Sequence, residues 1–500
     1  MTGLTGQSVG TSHGEPFGVW GAGDGGKLRG PFCFVGSEVS GGGSAVARSG
    51  AGLLGILGVV SVFFHASSSV TFNHCRCHGD RVLEIMSERV VVTGMGAVTP
   101  LGLTVDLFWE GLVAGRSGVS GITRFDASEL RSRIAGEVTG FDPDAGFADA
   151  RDARHADRYA QFAVAAAREA VRQAHIGEAR VDVDRVGVVI GSSNGGIASY
   201  VRQADVLRES GPRGLSPFGV PMLRSNMGAA LVAREWGFRG PSLSVGSACA
   251  TASQSIGEAC RLIRLGEADL VIAGGSEAPI CELVLGSFCA MRAVSMRNED
   301  PCGASRPFDV ARDGFVIAEG AGVLVLESES SALRRGVQIL GEIAGHGCTT
   351  DAHHLTLPLP DGSGAARAMA MALLQAGCGV GDVSCVFAHG TGTRAGDTAE
   401  IRALEAVFEG RRVSVTALKS LTGHLCGASG ALDVIAALRA IEAGALPATL
   451  NLSRPEVGDR LDYVTGEVRS GPVEAVLCNA FGFGGANSAL VVRRYGRELR

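Results

Sequence analysis

The sequence predicts an α/β protein built from two similar halves. After Met86, short segments rich in Val, Ile and Leu alternate with longer amphipathic segments, which is the pattern of buried parallel strands connected by helices. Three motifs of the first half recur in the second half in the same order: residues 91–96, 188–192 and 244–249 resemble residues 342–347, 386–390 and 416–420. Such a duplication would bring corresponding loops together near a pseudo-twofold axis, where a composite site can form.

Composition and charge exclude several classes of protein. With 500 residues, of which 46% are hydrophobic, 19% charged and 5% aromatic, the chain fits a globular protein with an aliphatic core. The net charge of −6 comes without any block of Lys or Arg, so we expect no nucleic-acid partner. The 13 cysteines show no regular spacing, which argues against a secreted disulfide framework and favours a reducing, cytoplasmic compartment.

Residues 1–85 differ from the rest of the chain, because Gly and Ser dominate and hydrophobic periodicity is absent. The apolar stretch Ala51–Phe64 has 14 residues, fewer than the roughly 20 needed to cross a bilayer, and it starts too far from Met1 for an ordinary signal peptide. We therefore expect no membrane association. The run His74–His78 lacks the spacing of four zinc ligands, so no metal site is expected. The sequence predicts a low-complexity N-terminal extension over 1–85 that is not part of the fold.

The predicted elements of the fold follow Met86 in order. A helix is predicted from Asp157 to Ala174, where apolar residues recur at i+4 spacing. Strands are predicted at Arg89–Gly94, Arg185–Ile190, Ala268–Ala273, Val323–Leu326 and Val476–Leu477. We assign residues 86–335 to an N-terminal half and residues 336–500 to a C-terminal half.

Cys249 is the candidate nucleophile. It follows a predicted strand, Ser242–Val245, and precedes a helix with an apolar stripe, so its thiol would lie at a strand-to-helix bend. A helix N-terminus carries partial positive charge, and we expect it to lower the pKa of the thiol and supply thiolate near neutral pH. The alternative is a small core residue, which is the commoner role of an isolated cysteine.

Two histidines of the C-terminal half favour catalysis over that alternative. His389 lies in His-Gly-Thr-Gly-Thr at the end of a predicted strand, and His424 lies in Lys-Ser-Leu-Thr-Gly-His ahead of another apolar helix. The flanking glycines let the backbone approach a ligand closely. Because the duplication would place both loops near Cys249, we expect the two halves to share one active site.

A fourth glycine-rich segment, residues 479–487, holds two phenylalanines near the C-terminus. No helix-opening Lys-Ser/Thr pair follows it, which argues against a phosphate-binding loop. We interpret the segment as a mobile backbone donor with an aromatic gate.

These motifs resemble those of the elongating β-ketoacyl-[acyl-carrier-protein] synthases, the Cys-His-His condensing enzymes of the thiolase superfamily, from about Arg89 to Val492. Intermediate segments also match, at residues 240–242, 274–277, 305–309, 312–315 and 319–322. The resemblance implies a thiolase-like five-layered αβαβα fold from two duplicated halves. It also implies an acyltransferase that condenses a Cys-bound acyl chain with malonyl-acyl carrier protein, with loss of CO₂, in fatty acid or polyketide elongation.

The resemblance further implies roles for individual residues. Cys249 would take the acyl chain, and His389 and His424 would act in decarboxylation of the malonyl donor. Lys419 would order the site, paired with Glu400. No cofactor of the enzyme itself is expected, because the phosphopantetheine belongs to the acyl carrier protein. The assembly would be a homodimer, or a heterodimer with a related subunit.

Other implied contacts concern the substrate. Thr391 and Thr393 would hydrogen-bond the pantetheine arm, and the N–H groups of Cys249 and Phe483 would form the oxyanion hole. Asn194 stands where many relatives place an apolar side chain near the acyl pocket. This departure argues against a plain saturated fatty chain and favours a short, unsaturated or functionalised one.

A docking surface for the acidic carrier protein is predicted at Arg151, Arg154 and Arg292. Arg151 and Arg154 lie three residues apart at a predicted helix start, so they would project from one side. By resemblance, Arg292 borders the pantetheine entrance. A local basic patch is needed because the chain as a whole is net negative.

Two other functions share features with this prediction. A non-catalytic partner subunit of the chain-length-factor type has the same fold but lacks the nucleophile, and Cys249 argues against it. A degradative thiolase would need a second catalytic Cys near the C-terminus. Cys478 is close in sequence but precedes the glycine-rich segment, and His424 is present.

Overall fold

The computed structural model describes residues 88–177, 181–456 and 461–496 of the chain. The predictions for residues 1–85, including the run His74–His78, lie outside these ranges. No helix within the described ranges has the length and apolar character to span a membrane.

Strands occur throughout both halves of the described chain. They are β1 Val90–Val98, β2 Ser120–Gly121, β3 Ile134–Ala135, β4 Val186–Gly191, β5 Ser242–Leu243, β6 Leu270–Glu277, β7 Gly320–Ser328, β8 Gly341–Thr350, β9 Cys385–Phe387, β10 Val413–Thr416, β11 Ala445–Leu446, β12 Leu461–Tyr463, β13 Arg469–Ser470, β14 Ala475–Gly482 and β15 Ala486–Arg493. Eleven of them form one sheet, in the order β12-β10-β9-β14-β15-β8-β1-β7-β6-β4-β5.

Helices alternate with these strands along the chain. They are α1 Val105–Val113, α2 Ala150–Arg154, α3 Arg158–Gln173, α4 Ile197–Ser210, α5 Gly219–Leu223, α6 Met227–Trp236, α7 Thr251–Arg264, α8 Glu282–Ala290, α9 Glu329–Arg335, α10 Ser363–Ala376, α11 Arg394–Phe408, α12 Lys419–Thr422 and α13 Ser429–Ala443. The helix predicted from Asp157 to Ala174 is α3, and those two residues are its N-cap and C-cap.

The strand order confirms the internal duplication. The order β5-β4-β6-β7-β1 of the first half is repeated by β10-β9-β14-β15-β8 in the second, and the halves meet where β1 pairs antiparallel with β8. The motif pairs found in the sequence fall on β1 and β8, on β4 and β9, and on the chain at the ends of β5 and β10.

The direction of the strands differs in part from the prediction. Strands β4, β5 and β6 are parallel, as are β9, β10 and β14, but β1, β7, β8 and β15 run antiparallel to their neighbours. The sequence could not distinguish the two directions, because strands buried on both faces show continuous apolar runs instead of alternation.

The two halves of the sheet form two layers, and the helices add three more. Helices α7 and α13 each contact strands of both halves, and twelve of the 15 residues of α13 are buried, as expected for a helix enclosed on all sides. Helix α3 packs on β1, β6 and β7 from one outside face, and α10 packs on β8, β14 and β15 from the other. The predicted αβαβα arrangement is therefore confirmed.

Glycines in β1 and β8 allow the outer helices to lie against the sheet. A Cβ on Gly96 would stand 1.9 Å from the carbonyl oxygen of Ala166 in α3, and a Cβ on Gly347 would stand 1.9 Å from that of Ala368 in α10. The two Gly-x-Gly motifs, at residues 94–96 and 345–347, thus lie within strands and serve close helix packing.

Candidate active site

A cavity of about 970 Å³ brings together residues from both halves of the chain. Its lining includes Cys249 from the N-terminal half, and His389, Thr391, His424 and Phe483 from the C-terminal half. Strand ends and the loops after them supply these side chains, which explains why residues far apart in sequence meet here.

Cys249 lies on a sharp turn between β5 and α7. It is the middle residue of a short 3₁₀ helix, Ala248–Ala250, and Ala248 has φ of 49°, which is uncommon for a residue with a side chain. The backbone N–H groups of Cys249 and Phe483 lie close enough to the Cys249 sulfur to lower the pKa of its thiol. The thiol therefore stands at the predicted bend, beside the two donors expected for an oxyanion hole.

The electrostatics of Cys249 differ from the prediction. Burial raises the pKa of the Cys249 thiol to about 12, although Lys419 and the two N–H groups act in the opposite direction. The prediction that the helix N-terminus lowers this pKa and supplies thiolate near neutral pH is wrong, because the cost of burying the negative charge is larger. The resting thiol is protonated and needs a base to react.

His424 lies directly beside the nucleophile. Its Nε2 is 3.0 Å from the Cys249 Sγ, and its Nδ1 is 3.2 Å from the hydroxyl of Ser429 at the start of α13. The rings of His424 and His389 are 5.5 Å apart between centroids, nearly perpendicular. The sulfur and one nitrogen from each ring lie within 4.8 Å of one another, so all three groups can reach one substrate atom.

Both histidines are neutral at physiological pH. Burial, followed by the positive charge of Lys419, holds the pKa of His389 and of His424 well below the ordinary value. The three ligating atoms are close enough to hold a soft metal ion, but the same Lys419 charge disfavours a further cation.

Glu400 positions the loop that carries His389. One oxygen of its carboxylate accepts the N–H of His389 and the other accepts the N–H of Gly390, each at 2.8 Å, and Asn479 Nδ2 donates to it at 3.2 Å. Glu400 therefore acts on the backbone of the loop, which leaves the imidazole free to face the cavity.

Lys419 has a different partner from the one predicted. Its Nζ forms an ion pair with Asp433 at 3.7 Å, both side chains being buried, and Glu400 is not its partner. The predicted ion pair with Glu400 does not form, because both oxygens of Glu400 accept N–H groups of the His389 loop. Lys419 acts on Glu400 only through its charge, which opposes the rise in the pKa of Glu400 that burial causes. Asp433 was missed, although a single carboxylate within the apolar run of α13 indicates a buried partner.

Asp397 is a second carboxylate that the sequence reasoning missed. It lies three residues before Glu400 on α11 and is also buried. Its Oδ1 accepts the N–H groups of Thr391 and Gly392 at 3.1 Å, and its Oδ2 accepts that of Phe308 at 2.7 Å. The i,i+3 spacing of two acids after the His-Gly-Thr-Gly-Thr motif was the available signal.

Thr391 and Thr393 line the cavity next to His389. Their hydroxyl oxygens are 3.0 Å apart, and Thr393 also caps α11 by accepting the N–H of Gly396 at 3.2 Å. Two hydroxyls that share one hydrogen bond keep one hydrogen for a ligand, so the pair can donate to a carbonyl of a bound chain.

Asn194 also lines the cavity, and its N–H groups donate hydrogen bonds to a buried carboxylate. Its backbone N–H and its Nδ2 donate to Glu277 at 3.1 and 3.2 Å. Ser192 and the N–H of Gly427 donate to Glu277 as well, at 2.6 and 3.1 Å. The Oδ1 of Asn194 has no hydrogen-bond partner among the described residues, which leaves an acceptor for a substrate. Glu277 was missed, although it ends a buried strand.

The three predicted docking arginines are placed differently from one another. Arg292 lines the cavity and is exposed. Arg151 and Arg154 lie on α2 outside the lining, and Arg151 forms an ion pair with Asp149 at 2.6 Å.

Cys478, the residue considered for a thiolase, does not line the cavity. It is buried in β14, where its sulfur contacts the carbonyl of Asp433 at 3.7 Å. Cys478 therefore does not supply the second catalytic cysteine that a degradative thiolase would need.

Known proteins match the chain over the part that carries the fold and the cavity. Residues 87–332 match the beta-ketoacyl synthase N-terminal domain, and residues 340–453 match its C-terminal domain. The 3-oxoacyl-[acyl-carrier-protein] synthase 2 of Synechocystis is 44% identical over 410 residues, which cover 82% of this chain and 98% of the relative.

Solved structures show the same relationship. A beta-ketoacyl synthase from Burkholderia phymatum has 35% identity and a TM-score of 0.77, over 81% of this chain and 99% of that one. A ketosynthase solved in complex with its type II PKS acyl-carrier protein and bound to the hexaketide has 33% identity and a TM-score of 0.74, over 81% and 99%.

The duplicated halves and their shared Cys-His-His cavity are those of a condensing enzyme with a thiolase-like fold. The chain belongs to the beta-ketoacyl synthase family. It is an acyltransferase that condenses acyl groups in fatty acid or polyketide synthesis, as its sequence predicted.

Proposed function

We propose that the chain takes an acyl group from an acyl carrier protein onto Cys249 and extends it with a malonyl unit from the same kind of carrier. The proposal rests on one observation: one thiol, two neutral imidazoles and two backbone N–H donors lie together in a single cavity. The carrier-protein complex of a relative supports the choice of carrier.

In the first step, the Cys249 sulfur attacks the carbonyl carbon of the incoming thioester. The sulfur's proton passes to His424 Nε2, 3.0 Å away, and then to the departing thiol of the carrier. The carbonyl oxygen becomes an oxyanion between the N–H groups of Cys249 and Phe483. The acyl chain ends on Cys249, and the carrier leaves with a free thiol.

In the second step, the malonyl thioester loses CO₂ and leaves an enolate. Neutral imidazoles of His389 and His424 donate hydrogen bonds to the enolate oxygen, where the negative charge develops. The Ser429 hydroxyl can rotate to donate to or accept from Nδ1 of His424, so either tautomer of that ring can be held.

In the third step, the enolate carbon attacks the acyl carbonyl on Cys249. The new oxyanion lies between the same two N–H groups, and its collapse forms the carbon–carbon bond and breaks the bond to sulfur. The sulfur leaves as a thiolate and takes up a proton from water, and a 3-oxoacyl chain leaves on the carrier. Covalent storage on Cys249 keeps the acyl group ready before the reactive enolate forms.

Other residues position the catalytic groups or bind the pantetheine arm of the substrate. Burial and the positive charge of Lys419 keep both imidazoles neutral, and Glu400 positions the His389 loop. Thr391 and Thr393 donate to the pantetheine arm. These groups suffice for the chemistry, so we propose that the enzyme uses no metal and no cofactor beyond the phosphopantetheine of the carrier.

Asn194 influences which type of acyl chain the cavity accepts. Its free Oδ1 would remain without a hydrogen bond beside a saturated chain, and an unpaired acceptor is costly in an apolar pocket. We therefore propose a short, unsaturated or functionalised chain. A hydroxyl or other donor on the chain would satisfy this oxygen.

The proposal extends to the oligomeric state, the cellular location and the docking surface for the carrier protein. We propose a cytoplasmic homodimer, with a heterodimer as the alternative, that docks an acidic carrier protein at Arg151, Arg154 and Arg292.

Replacing these three arginines by Glu is expected to raise the KM for malonyl-carrier protein and to leave the KM for malonyl-pantetheine unchanged. Equal losses with both substrates would place docking elsewhere.

The main test is to load carrier proteins with saturated, unsaturated and hydroxylated acyl groups of several lengths and to locate the adduct by mass spectrometry. We expect acylation of Cys249, with the saturated chains the slowest, and no adduct in Cys249→Ala. An adduct on another cysteine in that variant would overturn the assignment.

A further inference from the structure

Two arginines in the cavity lining have no ionic partner. Arg292 and Arg394 are both exposed lining residues, and neither forms an ion pair within the described ranges of the chain. The carboxylates of the lining are already occupied. Asp313 pairs with Arg297 at 3.7 Å, and Asp351 accepts the N–H of Leu359 at 2.8 Å and Nδ2 of Asn487 at 2.7 Å. Asp351 keeps its negative charge, because its donors are neutral, but the two arginines outnumber it and leave the exposed lining net positive.

The backbone at Arg394 is held in a fixed position. Its carbonyl oxygen accepts a hydrogen bond from Nη2 of Arg312 at 3.0 Å, and Arg312 is itself buried and 3.4 Å from Asp397. Arg394 is the first residue of α11, directly after the capping Thr393. Only the exposed side chain of Arg394 would need to be ordered by a ligand, which lowers the entropic cost of binding.

Arg394 lines the cavity directly after Thr393 in the chain, and this neighbour indicates its ligand. The proposed substrate arm has its thioester at Cys249 and its amides near Thr391 and Thr393, and the group beyond those amides is a phosphate. Arginine suits phosphate, because its planar N–H groups can donate to two phosphate oxygens at once. Resting on the proposed function, we propose that Arg394 binds the phosphate of the phosphopantetheine arm.

The test compares three malonyl donors that differ stepwise: malonyl-pantetheine without phosphate, malonyl-phosphopantetheine without protein, and malonyl-carrier protein. In Arg394→Gln, we expect the KM for both phosphorylated donors to rise on the order of tenfold, as for loss of a charged hydrogen bond. The KM for malonyl-pantetheine and all kcat values should stay within about twofold. Arg394→Lys should recover part of the loss.

Matched variants separate this contact from others. Arg334 is likewise exposed, has no ion pair among the described residues and lies outside the lining, so Arg334→Gln should change none of the three KM values. Arg151→Glu with Arg154→Glu should affect only malonyl-carrier protein. The thermal midpoint of each variant shows whether the fold is retained.

Three outcomes would overturn the assignment. An equal rise in KM for the donor without phosphate would mean that Arg394 acts on the cavity itself. A rise confined to malonyl-carrier protein would mean that Arg394 contacts the protein surface of the carrier. If the unmodified enzyme turned over none of the donors, the proposed function would fail first, and the phosphate contact with it.

Discussion

At the scale of single residues, burial sets the protonation of the site. The same desolvation that raises the pKa of the Cys249 thiol lowers the pKa of the His389 and His424 imidazoles, so the three groups are neutral at rest. A neutral thiol–imidazole pair suits this chemistry, because a neutral imidazole can accept the proton of the thiol and later donate to an enolate.

The protonated thiol leads to a pH dependence that can be measured. Below a pKa of about 12, the thiolate fraction grows about tenfold per pH unit, so alkylation of Cys249 by iodoacetamide should accelerate about tenfold per unit from pH 7 to 9. Mass spectrometry of the Cys249 peptide separates it from other cysteines. A rate that is already constant above pH 7 would mean that the pKa is low, as the sequence had suggested.

The two histidines should differ in the steps that they affect. His389→Ala is expected to keep acylation of Cys249 but to slow decarboxylation about 10²–10³-fold, because an enolate donor is lost. His424→Ala should slow both steps, since it also removes the base beside the thiol. Single-turnover assays of acyl loading and of CO₂ release distinguish these effects. Normal CO₂ release by either variant would exclude that histidine from the second step.

At the scale of secondary-structure elements, buried carboxylates of the C-terminal half hold the catalytic loops. Helix α11 binds backbone N–H groups of residues 389–392 through Asp397 and Glu400. Helix α13 anchors α12 through the ion pair of Asp433 with Lys419. The loop conformations therefore depend on helices behind the cavity wall.

The Lys419–Asp433 pair should behave as a buried ion pair. Lys419→Met or Asp433→Leu alone leaves an uncompensated buried charge and should lower the free energy of unfolding by about 3–5 kcal/mol. The double variant should lose less than either single variant, because no buried charge remains. Urea unfolding of the four proteins measures the coupling. Additive losses would show that the two groups do not stabilise each other.

At the scale of the whole molecule, each half supplies groups that the other lacks. Cys249 and Asn194 come from the N-terminal half, whereas both histidines and the Phe483 N–H come from the C-terminal half. The pseudo-twofold pairing of β1 with β8 joins the two halves within one sheet. Activity thus requires the duplicated fold as a unit.

The chain from Met86 should contain everything that this unit needs. The family match begins at residue 87, and residues 1–85 lack the apolar periodicity of core elements. A variant of residues 86–500 is expected to keep the thermal midpoint and the rate of Cys249 acylation of the full chain. A loss of soluble protein or a change of oligomeric state in that variant, seen by gel filtration, would show that the N-terminal segment contributes to folding or assembly.

Sequence alone determined the α/β class, the duplication, helix α3 and the principal candidate site residues. These features are encoded locally, because apolar periodicity, capping residues and glycine-flanked Cys and His are readable within short windows. The direction of β1, β7, β8 and β15 was not readable, since strands buried on both faces have the same apolar pattern in either direction.

Tertiary structure alone decided the chemistry of those candidates. The raised pKa of Cys249 depends on how far the folded chain buries the sulfur, which no local motif records. The choice of Asp433 over Glu400 as the partner of Lys419, and the place of Arg394 in the cavity lining, depend on packing between elements that are distant in the chain. Burial and long-range contacts are properties of the assembled molecule, because solvent exclusion and ion pairing require the elements to be in place.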